Sequence, residues 1–199
     1  MIDINRIIEN LKQTNPNGFV SKEHFQVEFA NALIRVLPEY KLTLNHYFEH
    51  VHTSVDLIAR GNNEVVGFNF RYYTRKDIIS LNNGITAMIK NTGPISNARI
   101  DFWKDVSKLE RLSMFHCFDY GFNILLTNDT RMFEPIKATN RCDREFDLSG
   151  GLRPMLHNLH RYDRNGNPDN YHDVVLFKAD YELYRQEYGN NFYLLPLAI

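Results

Sequence analysis

SVDLIARGNNEVVGFNFRYYT, residues 54–74, is the stretch that decides the fold. Two runs that alternate apolar and other residues flank the turn Gly61-Asn62-Asn63, whose residues tolerate positive φ. This pattern predicts two adjacent antiparallel strands. One face of the second strand carries Val66, Phe68, Phe70 and Tyr72. Asn69 and Arg71 share its other face, and we expect Asp56 of the first strand to lie close to Asn69 on that face.

The same kind of pattern places elements on both sides of this hairpin. Helices are predicted over residues 4–11, 21–37 and 99–115, and strands over residues 41–47, 121–127, 172–178 and 192–199. The polar segment 74–97 is predicted to be a long loop or to hold only short elements. In the third helix, Asp101, Lys104, Asp105 and Lys108 are predicted to face solvent. The order of elements indicates a single α/β domain over residues 1–199, with a mixed sheet.

Composition limits the classes of function. Of the 199 residues, 43% are hydrophobic and 24% are charged, which is typical of one globular domain. The net charge of −1 gives no general attraction to nucleic acid, so such binding needs a local basic patch. Cys117 and Cys142 form neither a zinc nor a disulfide pattern. With no signal-peptide core and no apolar run of ~20 residues, a cytoplasmic protein without membrane contact is expected.

Polar residues of the hairpin match parts of a metal-dependent hydrolytic site. Mg²⁺ prefers carboxylate oxygens, and Glu23 of the second predicted helix is a candidate to join Asp56 as a ligand. Asn69 offers an oxygen but no charge. Arg71 is a poor general acid or base, although its guanidinium binds phosphate well. The alternative is a polar face that is only solvated.

Four motifs follow one another in the chain: EHFQ at 23–26, NFRYYT at 69–74, DFWKD at 101–105 and LTND at 126–129. In this order they resemble a group of small bacterial proteins of the PD-(D/E)XK nuclease superfamily, over about residues 20–130. The resemblance implies a restriction-endonuclease-like α/β fold, a mixed β-sheet flanked by helices, with Mg²⁺ as cofactor and DNA or RNA as partner. Glu23 and Asp56 match its acidic positions. Asn69 and Arg71 stand where the family has Glu and Lys.

These two departures predict a nuclease-like protein that is impaired or inactive as an enzyme and acts on or near nucleic acid. A role in defence against foreign DNA rests on the family analogy alone. One alternative is an active Mg²⁺-dependent endonuclease with rearranged ligands, in which Lys104 takes the place of the missing lysine and Asp101 or Asp105 supplies a carboxylate. Another is a protein-interaction module that keeps only the fold.

A second group of residues is basic. On a helix, five side chains would fall on one arc: Arg153, His157, His160, Arg161 and Arg164. Such a stripe is a candidate for contact with a nucleic-acid backbone. The alternative is an ordinary solvated surface.

Overall fold

The computed structural model describes residues 1–81, 84–137, 141–153, 158–163, 165–168 and 179–199. The helices are α1 (Ile4–Thr14), α2 (Lys22–Val36) and α3 (Ile95–Met114). The strands are β1 (Lys41–Phe48), β2 (Thr53–Gly61), β3 (Glu64–Tyr73), β4 (Asp77–Ser80), β5 (Thr86–Ile89), β6 (Tyr120–Thr127), β7 (Gly151–Arg153), β8 (Tyr181–Leu183), β9 (Gln186–Gly189) and β10 (Phe192–Ala198). The strand predicted over residues 172–178 lies outside the described residues.

Six strands form one mixed sheet in the order β1-β2-β3-β6-β10-β9. Strand β3 pairs with β6 in parallel, and the other neighbours in this sheet are antiparallel. Two small two-stranded sheets, β4-β5 and β7-β8, complete the described strands. Over its described residues the chain is therefore an α/β protein with a six-stranded mixed sheet and three helices, and the α/β class with a mixed sheet is as its sequence predicts.

The helices cover both faces of the sheet. On one face α1 and α2 pack against the apolar side of β3, where Phe25 and Phe29 meet Phe70 at ring-centroid distances of 5.3 and 4.9 Å. On the other face α3 buries Phe102 and Val106 in a second core. A fully buried side chain of this size contributes about 1.5–3 kcal/mol, so the aromatic pairs fix how α2 lies on the sheet.

Two of the three helices begin where the sequence predicts. The Asp3 carboxylate accepts hydrogen bonds from the first turn of α1, and the Ser21 hydroxyl accepts one from His24 N. Helix α3 begins one turn earlier than predicted. Its first residue follows Pro94, which supplies no side-chain hydrogen bond. The usual Ser, Thr, Asp or Asn signal of a helix start is therefore missing from the sequence.

The hairpin forms as predicted. Asn62 and Asn63 take positive φ, and the β2-β3 ladder runs from the pair Gly61–Glu64 to the pair Leu57–Phe68. The ladder stops there, so the two strands separate immediately before Asp56 and Asn69. Side chains of α2 and α3 reach β2 at this gap between the two strands, which we call the cleft.

The basic stripe does not lie on a helix. Arg153 ends strand β7, and residues 158–163 carry no helix, only isolated bridge positions at Leu159 and Tyr162. The predicted helical arc is thus wrong for the members that the structure describes. His157 and Arg164 lie outside the described residues, and nucleic-acid contact by the stripe stays a prediction. None of the described helices is long and apolar enough to span a bilayer.

Candidate functional site

Six charged side chains lie in and around the cleft where β2 and β3 separate. We call them the charge cluster: Lys22, Asp56, Arg71, Asp101, Asp105 and Lys108. They come from α2, β2, β3 and α3. The cluster therefore joins both helical layers to the two strands of the hairpin.

Asp56 is held from three directions. Its Oδ1 accepts from Lys22 Nζ at 2.8 Å, and its Oδ2 accepts from Phe70 N at 2.7 Å, across the gap left by the ended ladder. Gln26 Nε2 of α2 donates to the Asp56 carbonyl oxygen at 2.5 Å. Because Phe70 is next to Asn69 in β3, the carboxylate lies beside the strand segment at which the sequence predicts it.

Arg71 connects the hairpin to α3. Its Nε donates to Asp105 Oδ2 at 2.5 Å, and its Nη1 lies 3.6 Å from Asp101 Oδ2. Burial acts to lower the pKa of the Arg71 guanidinium, but Asp105, Asp101 and Asp56 together raise it above its ordinary value. Asp105 is buried rather than solvated, so the prediction that it faces solvent is wrong. Its partner comes from a strand 34 residues away, which local helix spacing cannot reveal.

Lys108 is the lysine that α3 contributes to the cluster. Its Nζ donates to the Ser54 carbonyl oxygen at 3.1 Å and lies 3.7 Å from Asp105 Oδ1. Burial lowers the pKa of Lys108, and the carboxylates of Asp105 and Asp56 offset this only in part. A lysine with a lowered pKa releases its proton more readily than one in water.

Asn69 lies beneath the cluster, inside the sheet. Only 1% of the residue is exposed, and within the described structure neither atom of its amide has a hydrogen-bond partner. Its neighbour in the parallel ladder is Asn123, whose Nδ2 donates to the Phe102 carbonyl oxygen at 2.9 Å. The amide of Asn69 is thus enclosed below α3.

Two other predicted residues lie elsewhere. Glu23 is exposed at the start of α2, where hydrogen bonds to its own backbone and to Ser21 lower its pKa. It supports the helix cap, and Lys22 is the residue of that turn that contacts Asp56. Lys104 is partly buried on α3, and Lys108 of the same helix contacts the cluster through Asp105.

The donors do not fit a Mg²⁺ site. A hard divalent cation needs several oxygen ligands with excess negative charge. Both oxygens of Asp56 already accept hydrogen bonds, and Asp105 is bonded to Arg71. In the part of the chain that the structure describes, no three His, Cys, Asp or Glu residues are grouped so that they can hold a metal.

Comparison with protein-family models, curated proteins and solved structures found no match. The resemblance to PD-(D/E)XK nucleases therefore depends on the four sequence motifs alone.

Sequence reasoning missed Lys22 and Lys108. A weak signal for Lys108 exists, because positions 101, 105 and 108 fall on one arc of a helix. Lys22 has no such signal. It is adjacent to Glu23, and the rotation of about 100° per residue decides which of the two faces the cleft.

Proposed function

We propose that this chain is a nuclease-like protein with a restriction-endonuclease-like fold, impaired in metal-dependent phosphodiester hydrolysis, that acts on or near nucleic acid. The observation that carries the proposal is that positive and negative charges in the charge cluster are equal in number. Three carboxylates face three cations, so the cleft offers no excess negative charge to a divalent metal. In a hydrolytic site of this kind, the metal would supply the Lewis acid and the activated water.

The changed residues of β3 support the same proposal. Lys22 occupies one oxygen of Asp56, the carboxylate that the resemblance assigns to the metal. Arg71 stands at the position of the family's lysine and is bound to Asp105. An arginine remains charged at all ordinary pH values, so it stabilises a phosphate but does not transfer a proton. The cleft thus keeps a cation at this position of β3 but lacks the titratable lysine that the family has there.

A second candidate is an active endonuclease with rearranged residues. The observation that favours it is the lowered pKa of Lys108, in a position close to Asp105 and Asp56. Lysines tuned in this way serve as acids or bases in enzymes. In this candidate Asp56 and Asp105 would exchange their cationic partners for the metal.

Plasmid cleavage with Mg²⁺ or Mn²⁺ tests both candidates. We expect the natural protein to cut no faster than its Asp56→Asn variant prepared in the same way, which controls for contaminating nuclease. Cutting by the natural protein that disappears in Asp56→Asn and in Lys108→Met, but not in the exposed control Lys41→Met, would establish the active enzyme and overturn the impaired one.

The double variant Asn69→Glu/Arg71→Lys tests the assignment of the changed positions. It restores a carboxylate and an ammonium on one face of β3. Calorimetry should therefore detect Mg²⁺ or Mn²⁺ binding that exceeds that of the natural protein. Equal binding by the two proteins would show that Asn69 is not the position of a lost ligand.

A further inference from the structure

A pocket of about 680 Å³ lies beyond the end of β3, and three cationic side chains line it. They are Arg75, Lys76 and Arg131. The remaining lining residues, all within the described structure, include no Asp or Glu. We call this feature the basic pocket.

Hydrogen bonds fix the walls of the basic pocket. The fully buried Thr74 accepts from Thr92 N through its carbonyl oxygen at 3.0 Å, and its hydroxyl donates to the Lys90 carbonyl oxygen at 2.8 Å. Asn128 bonds both backbone groups of Arg75, at 2.8 and 3.2 Å. The backbone that carries the cations is therefore held against the end of the main sheet.

Arg131 is positioned by a buried carboxylate. Its Nε and Nη2 donate to the two oxygens of Asp129 at 2.9 and 2.6 Å. The Asp129 side chain is fully buried, whereas 53% of the Arg131 side chain is exposed. A guanidinium held by one edge keeps its remaining N–H donors for another anion.

Arg75 and Lys76 carry charge that is not compensated locally. Both residues are exposed, and neither forms an ion pair with any residue that the structure describes. Two carboxylates act on Arg131, Asp129 through an ion pair and Glu134 at longer range, so Arg75 and Lys76 are the cations of the pocket without an ion-pair partner in the described structure. In a protein with a net charge of −1, this is the kind of local patch that an anionic polymer requires.

The basic pocket continues toward the charge cluster. A smaller cavity of about 210 Å³ shares Tyr73 and Pro94 with it and is also lined by Arg71 and by Asp101, whose carboxylate pairs with Arg71. We propose that the basic pocket binds backbone phosphates of a nucleic-acid strand that runs along this path from Arg75 toward Arg71. The inference rests on the proposed function, which supplies nucleic acid as the partner, and it identifies the surface that holds it.

In the basic stripe, Arg153 and His160 each lie next to a carboxylate. Arg153 Nη2 pairs with Asp147 at 2.9 Å, and His160 Nδ1 lies 3.6 Å from Glu145. The basic pocket is therefore the stronger of the two surfaces for phosphate contact.

Fluorescence anisotropy with labelled single-stranded DNA, duplex DNA and RNA, in EDTA and over a salt series, tests the proposal. We expect Arg75→Glu/Lys76→Glu to weaken binding at least tenfold and to reduce the magnitude of the salt slope by roughly 2, about 1 for each cation lost. The matched control is Lys41→Glu/Arg60→Glu. It makes the same change in charge on exposed residues at the opposite end of the strands. Thermal melts verify that both variants are folded.

The possible outcomes distinguish a failure of the basic pocket as the binding surface from a failure of the proposed function. If the natural protein binds DNA and both double variants bind it with the affinity of the natural protein, the basic pocket is not the binding surface, and the proposed function stands. If the natural protein binds neither DNA nor RNA, the proposed function itself is overturned. Titration with inorganic phosphate, followed by NMR of the pocket amides, completes the test. If phosphate saturates the pocket amides but no oligonucleotide binds, the pocket is a site for a free anion, and the proposal of a bound nucleic-acid strand is wrong.

Discussion

Asn69 places a polar amide at a buried position of the main sheet. Leaving a buried amide without a partner costs about 1–3 kcal/mol, and neither Asn69 Oδ1 nor Nδ2 has a partner within the described structure. Under the proposed function, this amide stands at the position where the resemblance places a carboxylate.

We predict that Asn69→Glu alone destabilises the fold by roughly 3–5 kcal/mol, because it buries a carboxylate without a compensating cation. Urea unfolding measures the loss. Saturating Mg²⁺ should recover part of it, since a ligand that binds only the folded state stabilises that state.

Asn69→Leu is the matched control, with a similar volume and no polar atoms. It should leave the free energy of unfolding unchanged or increase it by about 1 kcal/mol, since the unpaired amide is removed. A Glu variant as stable as the natural protein, or a Leu variant that is strongly destabilised, would contradict the buried and unpaired state of Asn69.

At the scale of elements, Arg99 ties α3 to the segment after β6. Its side chain is 2% exposed and donates to the carbonyl oxygens of Arg131, Met132 and Glu134. Its Nη1 also pairs with the buried Asp143 at 3.3 Å. One guanidinium thus donates to three carbonyl groups of this turn, of which that of Arg131 also accepts from Glu134 N.

We predict that Arg99→Met lowers the free energy of unfolding by about 3 kcal/mol, because those carbonyl groups lose their donor while Asp143 keeps only Arg141. Chemical denaturation gives the value. The control Arg111→Met removes an exposed arginine from the same helix and should change stability by no more than about 0.5 kcal/mol. Equal effects of the two substitutions would refute the anchoring role.

Some helices and strands can be predicted from local sequence signals, and others cannot. Asp3, Ser21 and the Asn62-Asn63 turn are local signals, and α1, α2 and the hairpin follow from them. The start of α3 has no such signal at Pro94. The parallel pairing of β3 with β6 joins segments that are far apart in sequence, so it depends on packing over the whole chain.

The candidate site divides in the same way. Alternation along β2 and β3 predicts that Asp56 and Arg71 lie near the same end of the hairpin. The partners that neutralise them, Lys22 and Asp105, come from two helices in opposite layers. Their positions depend on how each helix rotates against the sheet, and no single window of sequence contains that information.

At the scale of the whole molecule, the two ends of the sequence meet on one edge of the sheet. The Tyr188 hydroxyl of β9 lies 3.0 Å from the carbonyl oxygens of Leu11 and Asn15, at the end of α1. Nearby, Gly18 packs against the ring of Phe192 in β10. Contacts of such long sequence separation couple the first helix to the last strands through one continuous sheet.

We therefore predict that the chain unfolds as a single cooperative unit. Trp103, the only tryptophan, is fully buried by α3 on the opposite face from Tyr188, so its fluorescence reports on a distant core. Urea transitions followed by Trp103 fluorescence and by far-UV circular dichroism should coincide. Tyr188→Phe, which removes a buried hydroxyl, should shift both curves together by about 1 kcal/mol. A Trp103 transition that stays in place while the circular-dichroism curve moves would show two independent units and reject the single domain.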